Sequence, residues 1–507
     1  MSLNLGTILQ ASAADFPEKI ALIINDEEVT YGELHQQSLR LAHALRSRGL
    51  NPGDHVAVML PNGIQFPLSY FGILYAGMSV VPFNILLTSD EVQYHIEDSE
   101  SKLLIAHPDY EQAAIAGAEA AGVEVVWSQA SKDLTILDDA TSDYPDQVFP
   151  TDADDTAVIL YTSGTTGRPK GAELSHSNLF VNAANACPKL VPIDEEDVAL
   201  ATLPLFHIFG QTVIMNATIA TGGTVVLLAR FTPEAVFELI EKHRITFFAG
   251  VPTMYFGLLH HPGGEAYDVS SVKHAMTGGA AMPVEVMNEF ESRFPVKILE
   301  GYGLSETSPV ASFNVAHKPR VAGSIGYPVW GVEMIILDEK GIPVPDGERG
   351  EICIRGHNVM KGYWNKPEAT AEAIKDGWFH SGDIGIRNPE GWFSIVDRVK
   401  DMIIRGGYNV YPREIEEVLY AHPAINEAAV IGIPDERLGE EVHAVVALGS
   451  GHELTEDEII SYTGINTAAN QITVNTRSID SSLRTNHNAN DLVYTYEFNE
   501  VSLRKIN

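Results

Sequence analysis

Short apolar runs alternate with helical segments over most of the first 300 residues, and this alternation constrains the fold more than any other feature. The apolar runs are typical of buried strands, and they occur at 55–60, 79–83, 157–160, 198–202, 224–228 and 245–249. Helical periodicity is found at 31–48, about 65–76, 211–221 and 233–243, and a further helix is predicted to begin near Pro283. Strands that alternate with helices indicate a mostly parallel sheet covered by helices.

The chain is too long for one hydrophobic core, and its texture changes twice. With 507 residues we expect at least two domains. Turn signals become frequent after about residue 320, at 338–341, 345–347 and 388–391, and short strands such as 350–355 lie between them. This pattern predicts a β-rich subdomain. A small α/β unit follows at about 402–462, and the last 45 residues then hold 8 asparagines against 16 in the preceding 462.

Charge and cysteine content exclude several classes of protein. The formal net charge of −35 argues against a general nucleic-acid or anionic-membrane surface. The two cysteines, Cys187 and Cys353, cannot form a disulfide framework, which indicates a reducing compartment. The sequence shows no basic segment before an apolar run at its N-terminus and no apolar run of spanning length. We therefore expect a cytoplasmic protein with no transmembrane segment.

The stretch 161–171 (YTSGTTGRPKG), called the phosphate loop below, predicts a binding site for phosphate. Its three glycines let the backbone approach an anion closely, and its four hydroxyls and Lys170 can bond phosphate oxygens. It is not a Walker loop, because Arg168 and Pro169 separate Gly167 from Lys170. The order predicted here is a strand, the loop, and then a helix that begins near Ser175.

Five further motifs follow the loop, at 203–210 (LPLFHIFG), 277–281 (TGGAA), 300–307 (EGYGLSET), 378–383 (WFHSGD) and 397–414. Together with the loop they resemble the adenylate-forming superfamily, which comprises acyl-CoA synthetases, luciferases and peptide-synthetase adenylation domains. The resemblance extends from about residue 5 to 462. It is nearest to bacterial long- or medium-chain fatty acid–CoA ligases, through 248–255, 358–363 and 406–414, although plant-type coumarate ligases share several of these segments.

The resemblance implies an α/β fold in two domains. The N-terminal domain, predicted at 1–396, would hold two mostly parallel α/β sheets and the β-rich subdomain. A hinge at 397–401 would join it to a small mobile α+β domain at 402–462. Residues 463–507 form an atypical tail that replaces the remainder of the small domain.

The resemblance also assigns roles to individual residues. Catalytic roles are implied for Lys170, His207, Glu306 and Lys400. ATP or AMP is expected to contact Thr162, Ser163, Gly164, Thr165, Thr166, Gly167, Lys170, Gly279, Ala280, Glu300, Gly301, Tyr302, Gly303, Ser305, Asp383 and Arg398. The acyl pocket is expected at Phe206, His207, Gln211, Val251, Gly278 and Gly279, and the CoA site at Arg405, Gly406, Gly407 and Tyr408. Mg²⁺ is expected at Thr165 and Glu306, since hard oxygen ligands suit it.

The predicted reaction converts a fatty acid, ATP and CoA into acyl-CoA, AMP and diphosphate through an acyl-adenylate, with Mg²⁺ bound. One alternative forms the adenylate but passes the acyl group to a carrier protein, or oxidises the adenylate with light emission. A second alternative is a non-catalytic binder of nucleotide or fatty acid. The resemblance is also compatible with a homodimer.

The tail departs from the family. The family ends in a Pro-x-x-x-x-Gly-Lys stretch whose lysine bridges the substrate carboxylate and the α-phosphate of ATP. Residues 463–507 contain no such stretch, and their one lysine, Lys505, lacks the preceding glycine and proline. We therefore expect impaired adenylation in this chain. A frame shift or substitution near codon 462 is the hypothesis that fits this junction.

Overall fold

The computed structural model describes residues 2–130, 133–134, 147–162, 168–398, 401–405, 408–435 and 439–448, and the backbone of 472–477. Within these residues the strands form four sheets. Two large sheets belong to the first 363 residues, a third follows at 332–398, and a fourth lies in the C-terminal part. The predicted α/β fold, with a large N-terminal part and a smaller C-terminal part, is confirmed.

The first large sheet has parallel strands at its centre and antiparallel strands at its edges. In spatial order its strands are Gly362–Tyr363, Lys170–Ser175, Thr156–Thr162, Ser79–Pro82, His55–Met59, Leu103–Ala106, Glu124–Ala130 and Asp133–Leu134. The second large sheet is built in the same way. Its strands are Tyr327–Pro328, Val310–Phe313, Ile298–Gly303, His274–Thr277, Phe247–Gly250, Val198–Ala201, Thr224–Leu227, Ile20–Ile24 and Glu27–Thr30.

The remaining two sheets are mainly antiparallel. The third sheet, called the β-rich sheet below, contains Val332–Leu337, Arg349–Gly356, Trp378–Arg387, Ile374–Lys375 and Phe393–Arg398. The fourth contains Tyr408–Val410, Ile403–Arg405, Gly439–Leu448, Ile425–Asp435 and Ile472–Arg477. The strand Ile472–Arg477 pairs in parallel with Gly439–Leu448 and lies within the segment predicted to be an atypical tail.

Helices connect the strands and cover the two large sheets. The α-helices are Thr7–Asp15, Tyr31–Ser47, Gln65–Tyr75, Ser89–Ser99, Glu111–Ala121, His176–Val181, Cys187–Leu190, Ala217–Ala220, Pro233–His243, Pro252–Leu259, Val284–Arg293, Pro367–Ala373 and Pro412–Tyr420. Short 3₁₀-helices lie at Pro108–Tyr110, Gly264–Ala266 and Ser305–Thr307, and π-helical turns at Asn182–Ala186 and Phe209–Asn216. None of the described helices combines the length and apolar character needed to cross a membrane.

The helix Tyr31–Ser47 shows how sequence sets an element. Its N-terminus is closed by a capping box, because Thr30 Oγ1 accepts from the Glu33 backbone N–H and the Glu33 carboxylate accepts from the Thr30 N–H. Leu34, Leu41 and Leu45 form its fully buried stripe, as their spacing predicted. Each such side chain contributes about 1.5–3 kcal/mol when it is removed from water.

The structure corrects the predicted order around the phosphate loop. A strand, Lys170–Ser175, intervenes between the loop and the helix that begins at His176. It runs antiparallel to Thr156–Thr162, and Thr162 lies opposite Lys170. The sequence signal was present but short, because only Ala172 and Leu174 alternate as buried apolar residues along it.

A second difference concerns the predicted helix at 211–221. The segment is helical from Phe209, but its first two turns are π-helical and only Ala217–Ala220 is α-helical. Such widened turns occur mostly at functional sites, where they change the direction of side chains. Here the π-helical turn carries Phe209 and Val213 to the wall of the large cavity described below.

The C-terminal sheet packs its own small core, which includes Ile403, Leu419 and Val442. Its helix Pro412–Tyr420 also contacts the N-terminal part. Arg413 donates a guanidinium hydrogen bond to the Ile395 carbonyl at 2.7 Å and its backbone N–H to the Asp397 carboxylate at 3.3 Å. These contacts hold the helix beside the predicted hinge, while the proposed domain boundaries at 396, 401 and 462 stay predictions.

Candidate active site

One cavity of about 750 Å³ lies at the carboxyl ends of strands from both large sheets. Thr162 ends a strand of the first sheet, and Thr277 and Gly303 end strands of the second. Side chains and turns at such strand ends are the usual ligand-binding positions of parallel sheets, because the loops there are free to vary. The β-rich sheet contributes a third wall, through Glu351 and the segment 379–383.

A polar cluster around Glu306 forms part of the cavity wall. This cluster and the one around Asp383, described next, are together called the charged end below. Glu306 lies on the 3₁₀-helix Ser305–Thr307 and is 8% exposed. One carboxylate oxygen accepts from the Thr162 hydroxyl at 3.2 Å and from the Tyr363 hydroxyl at 2.9 Å. The Lys170 ammonium lies 5.0 Å from the centroid of the Tyr363 ring, within cation–π range. A hard anionic oxygen, two hydroxyls and a cation thus meet where the phosphate loop leaves and rejoins its sheet.

A second polar cluster centres on Asp383, which is 5% exposed. Its carboxylate accepts from the Tyr302 hydroxyl at 2.5 Å and pairs with Arg398 Nε at 3.4 Å. Burial raises the pKa of Asp383, while the bond from Tyr302 and the charge of Arg398 oppose that rise. An aspartate fixed in this way offers its remaining acceptor capacity to neighbouring hydroxyl groups, such as those of a sugar.

A group of apolar residues also lines the cavity, and the part of the wall that they form is called the apolar end below. Its lining residues include Cys187, Leu190, Val191, Ile193, Ile208, Phe209, Val213 and Phe313. None of these described residues carries a formal charge, and the Cys187 thiol stays neutral because burial raises its pKa to about 12. Gly278 borders this region, and a Cβ added there would lie 3.3 Å from the Phe209 ring. The apolar end therefore suits an uncharged chain or ring.

His207 also lines the cavity. Its ring reaches solvent in the cavity, although protein atoms surround it and this desolvation lowers its pKa. Its Nδ1 accepts from the Phe209 backbone N–H at 3.2 Å. The imidazole is therefore held neutral, with its orientation set by the first turn of the π-helical segment.

Most of the described residues expected to bind ATP or the acyl chain line this cavity. They are Thr162, Lys170, His207, Gly278, Gly279, Gly301, Tyr302, Gly303, Ser305, Glu306, Asp383 and Arg398. The other described residues are not among those that line it. Gln211 is fully buried and donates its amide to the Leu205 carbonyl, Phe206 and Val251 pack against the core, and Ala280 is exposed beside the strand end. Their predicted contacts with substrate stay predictions.

Glu300 illustrates why a motif position need not face the cavity. Its side chain is 2% exposed, and one carboxylate oxygen accepts from the Met282 backbone N–H at 3.2 Å. The other oxygen has no hydrogen-bond partner among the described residues. Burial raises the pKa of Glu300 to about 7, and the charge of Arg413 offsets part of this rise. Glu300 and Tyr302 belong to the same strand, Ile298–Gly303, and the buried Glu300 carboxyl links this strand to the backbone of Met282.

Several predicted residues lie outside the described part of the chain. These are Ser163, Gly164, Thr165, Thr166, Gly167, Lys400, Gly406 and Gly407, together with the side chain of Tyr408. Arg405, expected at the CoA site, is described and forms a two-bond ion pair with Glu441, at 2.5 and 3.1 Å. Its guanidinium is therefore engaged inside the C-terminal sheet in this conformation.

The sequence reasoning missed Tyr363 and Tyr161, which both line the cavity. Tyr363 was part of the 358–363 segment that marked the nearer resemblance, but no role was inferred for it. The structural clue to Tyr363 is strand pairing: the short strand Gly362–Tyr363 runs antiparallel to Lys170–Ser175, the strand that follows the phosphate loop. That pairing becomes visible only when the strand Lys170–Ser175 is recognised.

Comparison with known proteins agrees with this geometry. The family model of AMP-binding enzymes matches residues 9–364, and that of the AMP-binding enzyme C-terminal domain matches residues 414–472. The chain therefore belongs to the AMP-binding, adenylate-forming enzymes. Its relatives place it more narrowly among the acid–CoA ligases, in which the reaction is shared and the acid differs.

Three relatives illustrate the similarity. A long-chain-fatty-acid–CoA ligase of Bacillus subtilis is 39% identical over 492 residues, covering 90% of this chain and 88% of that protein. A feruloyl-CoA synthase of an Amycolatopsis species is 39% identical over 449 residues, covering 88% of this chain and 89% of its own. The crystal structure of ATP-bound MatB from Rhodopseudomonas palustris aligns with a TM-score of 0.86 at 32% identity, covering 94% and 95% of the two chains.

Proposed function

We propose that this chain is an AMP-forming CoA ligase for a carboxylic acid whose remaining part is uncharged and apolar, a fatty acid first of all. The observation that carries the proposal is that one cavity is lined both by the polar clusters around Glu306 and Asp383 and by a group of apolar side chains. Relatives named for sulfoacetate and oxalate act on acids with a second charged group. A second charge would be buried without a partner among the described apolar lining, at a cost of several kcal/mol.

The chemistry needs no protein nucleophile. The substrate carboxylate attacks the α-phosphorus of ATP, which forms the acyl-adenylate and releases diphosphate. The CoA thiol releases its proton to solvent, and the resulting thiolate attacks the acyl carbon and displaces AMP. Lys170 would bind phosphate oxygens at the charged end, Asp383 and Arg398 the ribose, and His207 would separate the reacting carboxyl from the apolar chain. Catalysis on this account is positioning and charge stabilisation.

Magnesium fits the donor set at the charged end. The Glu306 carboxylate and the Thr162 hydroxyl are hard oxygen ligands that lie together, and Mg²⁺ favours such ligands. When bound with ATP, the ion supplies neutralisation of phosphate charge. Glu306 would hold it, with Thr165 of the phosphate loop as the second proposed ligand.

The acid is tested with a panel of C4 to C18 fatty acids, cinnamic acids, oxalate and sulfoacetate, with AMP release measured with and without CoA. We expect CoA-dependent AMP release with uncharged chains or rings and none with the charged pair. Equal AMP release without CoA would favour a carrier-protein or light-emitting reaction. ATP binding with neither diphosphate exchange nor thioester formation would favour a non-catalytic binder.

We further propose that adenylation is the weaker half-reaction in this chain. The tail lacks the family's terminal lysine, whereas the segment around Lys400 and 406–408, implied in thioester formation, is present in the sequence. Synthetic acyl-adenylate plus CoA should therefore give acyl-CoA. Acid plus ATP should give about 10²–10³-fold less than an intact family ending would. Equal rates from both routes would contradict the proposal, and Lys505→Ala would then show whether Lys505 substitutes.

We also propose the domain boundaries and the homodimer that the resemblance implies. The boundaries at 396, 401 and 462 are tested by limited proteolysis, which should cut first within 397–401. A homodimer is tested by light scattering of the full chain. A molar mass near the 55.2 kDa of one chain would contradict it.

A further inference from the structure

Three side chains with metal-ligating atoms converge beside the charged end of the cavity. His380 Nδ1 lies 2.7 Å from Glu351 Oε2 and 3.5 Å from Cys353 Sγ. The ligand atoms of all three residues lie within 4.8 Å of one another. We infer that Glu351, Cys353 and His380 form a binding site for a thiophilic divalent cation of the zinc type.

The β-rich sheet builds this convergence from its strand pairing. Glu351 and Cys353 are two residues apart on the strand Arg349–Gly356, so their side chains point to the same face. His380, on Trp378–Arg387, is the direct antiparallel partner of Cys353. The register shifts between Glu351 and Cys353, and Gly382 has a φ of 75° in the irregular stretch opposite. Such an irregularity changes the direction of side chains, here toward a common point.

The donor set selects the class of ion. One thiolate, one imidazole and one carboxylate are the ligands of zinc and its borderline-soft neighbours, while Mg²⁺ and Ca²⁺ prefer oxygen alone. Three protein ligands leave a fourth position open in tetrahedral coordination. The side chains of His380 and Glu351 are 17% and 25% exposed and line the cavity, so an ion can enter from there. Cys353 is fully buried behind them.

A hydrogen bond from Glu351 links the three-residue cluster to the charged end of the cavity. The second carboxylate oxygen of Glu351 accepts from the Gly382 backbone N–H at 2.9 Å, and Gly382 directly precedes Asp383. A bound cation would draw the Glu351 carboxylate toward itself and weaken this bond. Occupancy of the site is therefore coupled to the position of Asp383. The link to nucleotide rests on the ribose role proposed for Asp383, and by reciprocity nucleotide binding would then oppose cation binding.

The experiment titrates the purified full chain with Zn²⁺ against a chromophoric chelator and, separately, with Co²⁺ while recording the visible and near-ultraviolet spectrum. One ion per chain and a thiolate-to-cobalt charge-transfer band are expected. Cys353→Ser should abolish that band and weaken Zn²⁺ binding at least tenfold, since even changes around metal ligands cost about 10–100-fold. His380→Gln should weaken binding similarly, with the band reduced.

The matched control is Cys187→Ser, which removes the other buried thiol, at the apolar end of the cavity. It should leave both the band and the affinity for Zn²⁺ unchanged. Zn²⁺ binding that persists in Cys353→Ser and His380→Gln, or no binding by the wild type, would overturn the site. Circular dichroism of each variant checks folding, and either variant alone suffices if the other does not fold. The measurement needs no turnover, so its failure is separate from failure of the ligase proposal.

The coupling has its own readout. Saturating Zn²⁺ should raise the dissociation constant for AMP severalfold in the wild type, and it should not do so in Cys353→Ser. AMP affinity that is the same with and without Zn²⁺ in the wild type would refute the coupling through Gly382.

Discussion

The two ends of the cavity differ in what holds their residues in place. At the charged end, Glu306 and Asp383 are each fixed by hydroxyl hydrogen bonds, from Thr162 and Tyr363 in one case and from Tyr302 in the other. At the apolar end, the described side chains belong to the hydrophobic core or pack against it. Hydrogen bonds demand particular atoms, whereas packing tolerates hydrophobic exchanges of similar volume. In a cavity of this kind, hydrophobic exchanges among the apolar residues would change the acid that fits and leave the polar clusters in place.

The largest expected effect comes from breaking the charged end at Glu306. Glu306→Gln keeps the size and one acceptor oxygen but removes the negative charge. We expect Mg²⁺-dependent diphosphate exchange to fall on the order of 10²-fold, a typical cost of removing one charge-stabilising group. Exposed Glu339→Gln is the control and should change nothing. Wild-type exchange in Glu306→Gln would remove this residue from the metal site.

A smaller effect is expected at the second charged position. Asp383→Asn weakens the acceptor that holds Tyr302 and Arg398, and it should raise the KM for ATP about tenfold or more, since hydrogen bonds to charged groups contribute about 1.5–3 kcal/mol. Exposed Asp376→Asn, in a turn of the same sheet, is the matched control. A changed preference among acids with an unchanged KM for ATP would contradict the ribose role.

A substitution at the apolar end should change the preference among acids and leave the KM for ATP nearly unchanged, the reverse of the effect expected for Asp383→Asn. Gly278→Ala places a methyl group 3.1 Å from the Gly301 carbonyl oxygen and 3.3 Å from the Phe209 ring, so it narrows the cavity. We expect kcat/KM for long or bulky acids to fall about tenfold relative to short acids, with the KM for ATP little changed. Gly257→Ala, where the new methyl meets only ordinary contacts, is the control. An equal loss for all acids would show that the charged end had moved instead.

The smallest effect on the reaction is expected at Glu300, whose influence is on stability. Its pKa in the folded protein is about 7, above the ordinary value of 4.5, so the folded state holds an extra proton between these values. Stability therefore falls as pH rises from about 4.5 to 7, by up to about 3 kcal/mol.

Glu300→Gln removes this penalty. Urea unfolding should show the variant gaining stability over the wild type at pH 8 and not at pH 5. Exposed Glu289→Gln should show no such pH-dependent gain. A wild-type stability that is flat across pH 5–8 would mean that Glu300 is ionised in the fold.

The same contrast explains what the sequence could predict. Buried strands such as His55–Met59 and the capped helix Tyr31–Ser47 were predicted within a residue or two, because local pattern determines them. The motif residues Glu306, Asp383 and Arg398 were predicted to share a site, and the structure places them in one cavity. Glu300 and Gln211 show the limit, because a motif does not reveal which face of an element a side chain takes.

Tertiary pairing was the other gap. The strand Lys170–Ser175 has only two buried apolar residues, and its place is decided by its partners on either side. The convergence of Glu351, Cys353 and His380 likewise depends on a register shift between two strands that are about 25 residues apart in sequence. Neither feature has a local signature.

The pairing of Thr162 with Lys170 has a consequence for engineering. The lysine begins a strand, so its position is fixed by the ladder of hydrogen bonds to its neighbour and not by the length of the connection before it. We expect that residues added to or removed from that connection would leave this strand pairing in place. Loop-length libraries between these two residues would therefore test the proposed phosphate contacts of the loop separately from the charge of Lys170.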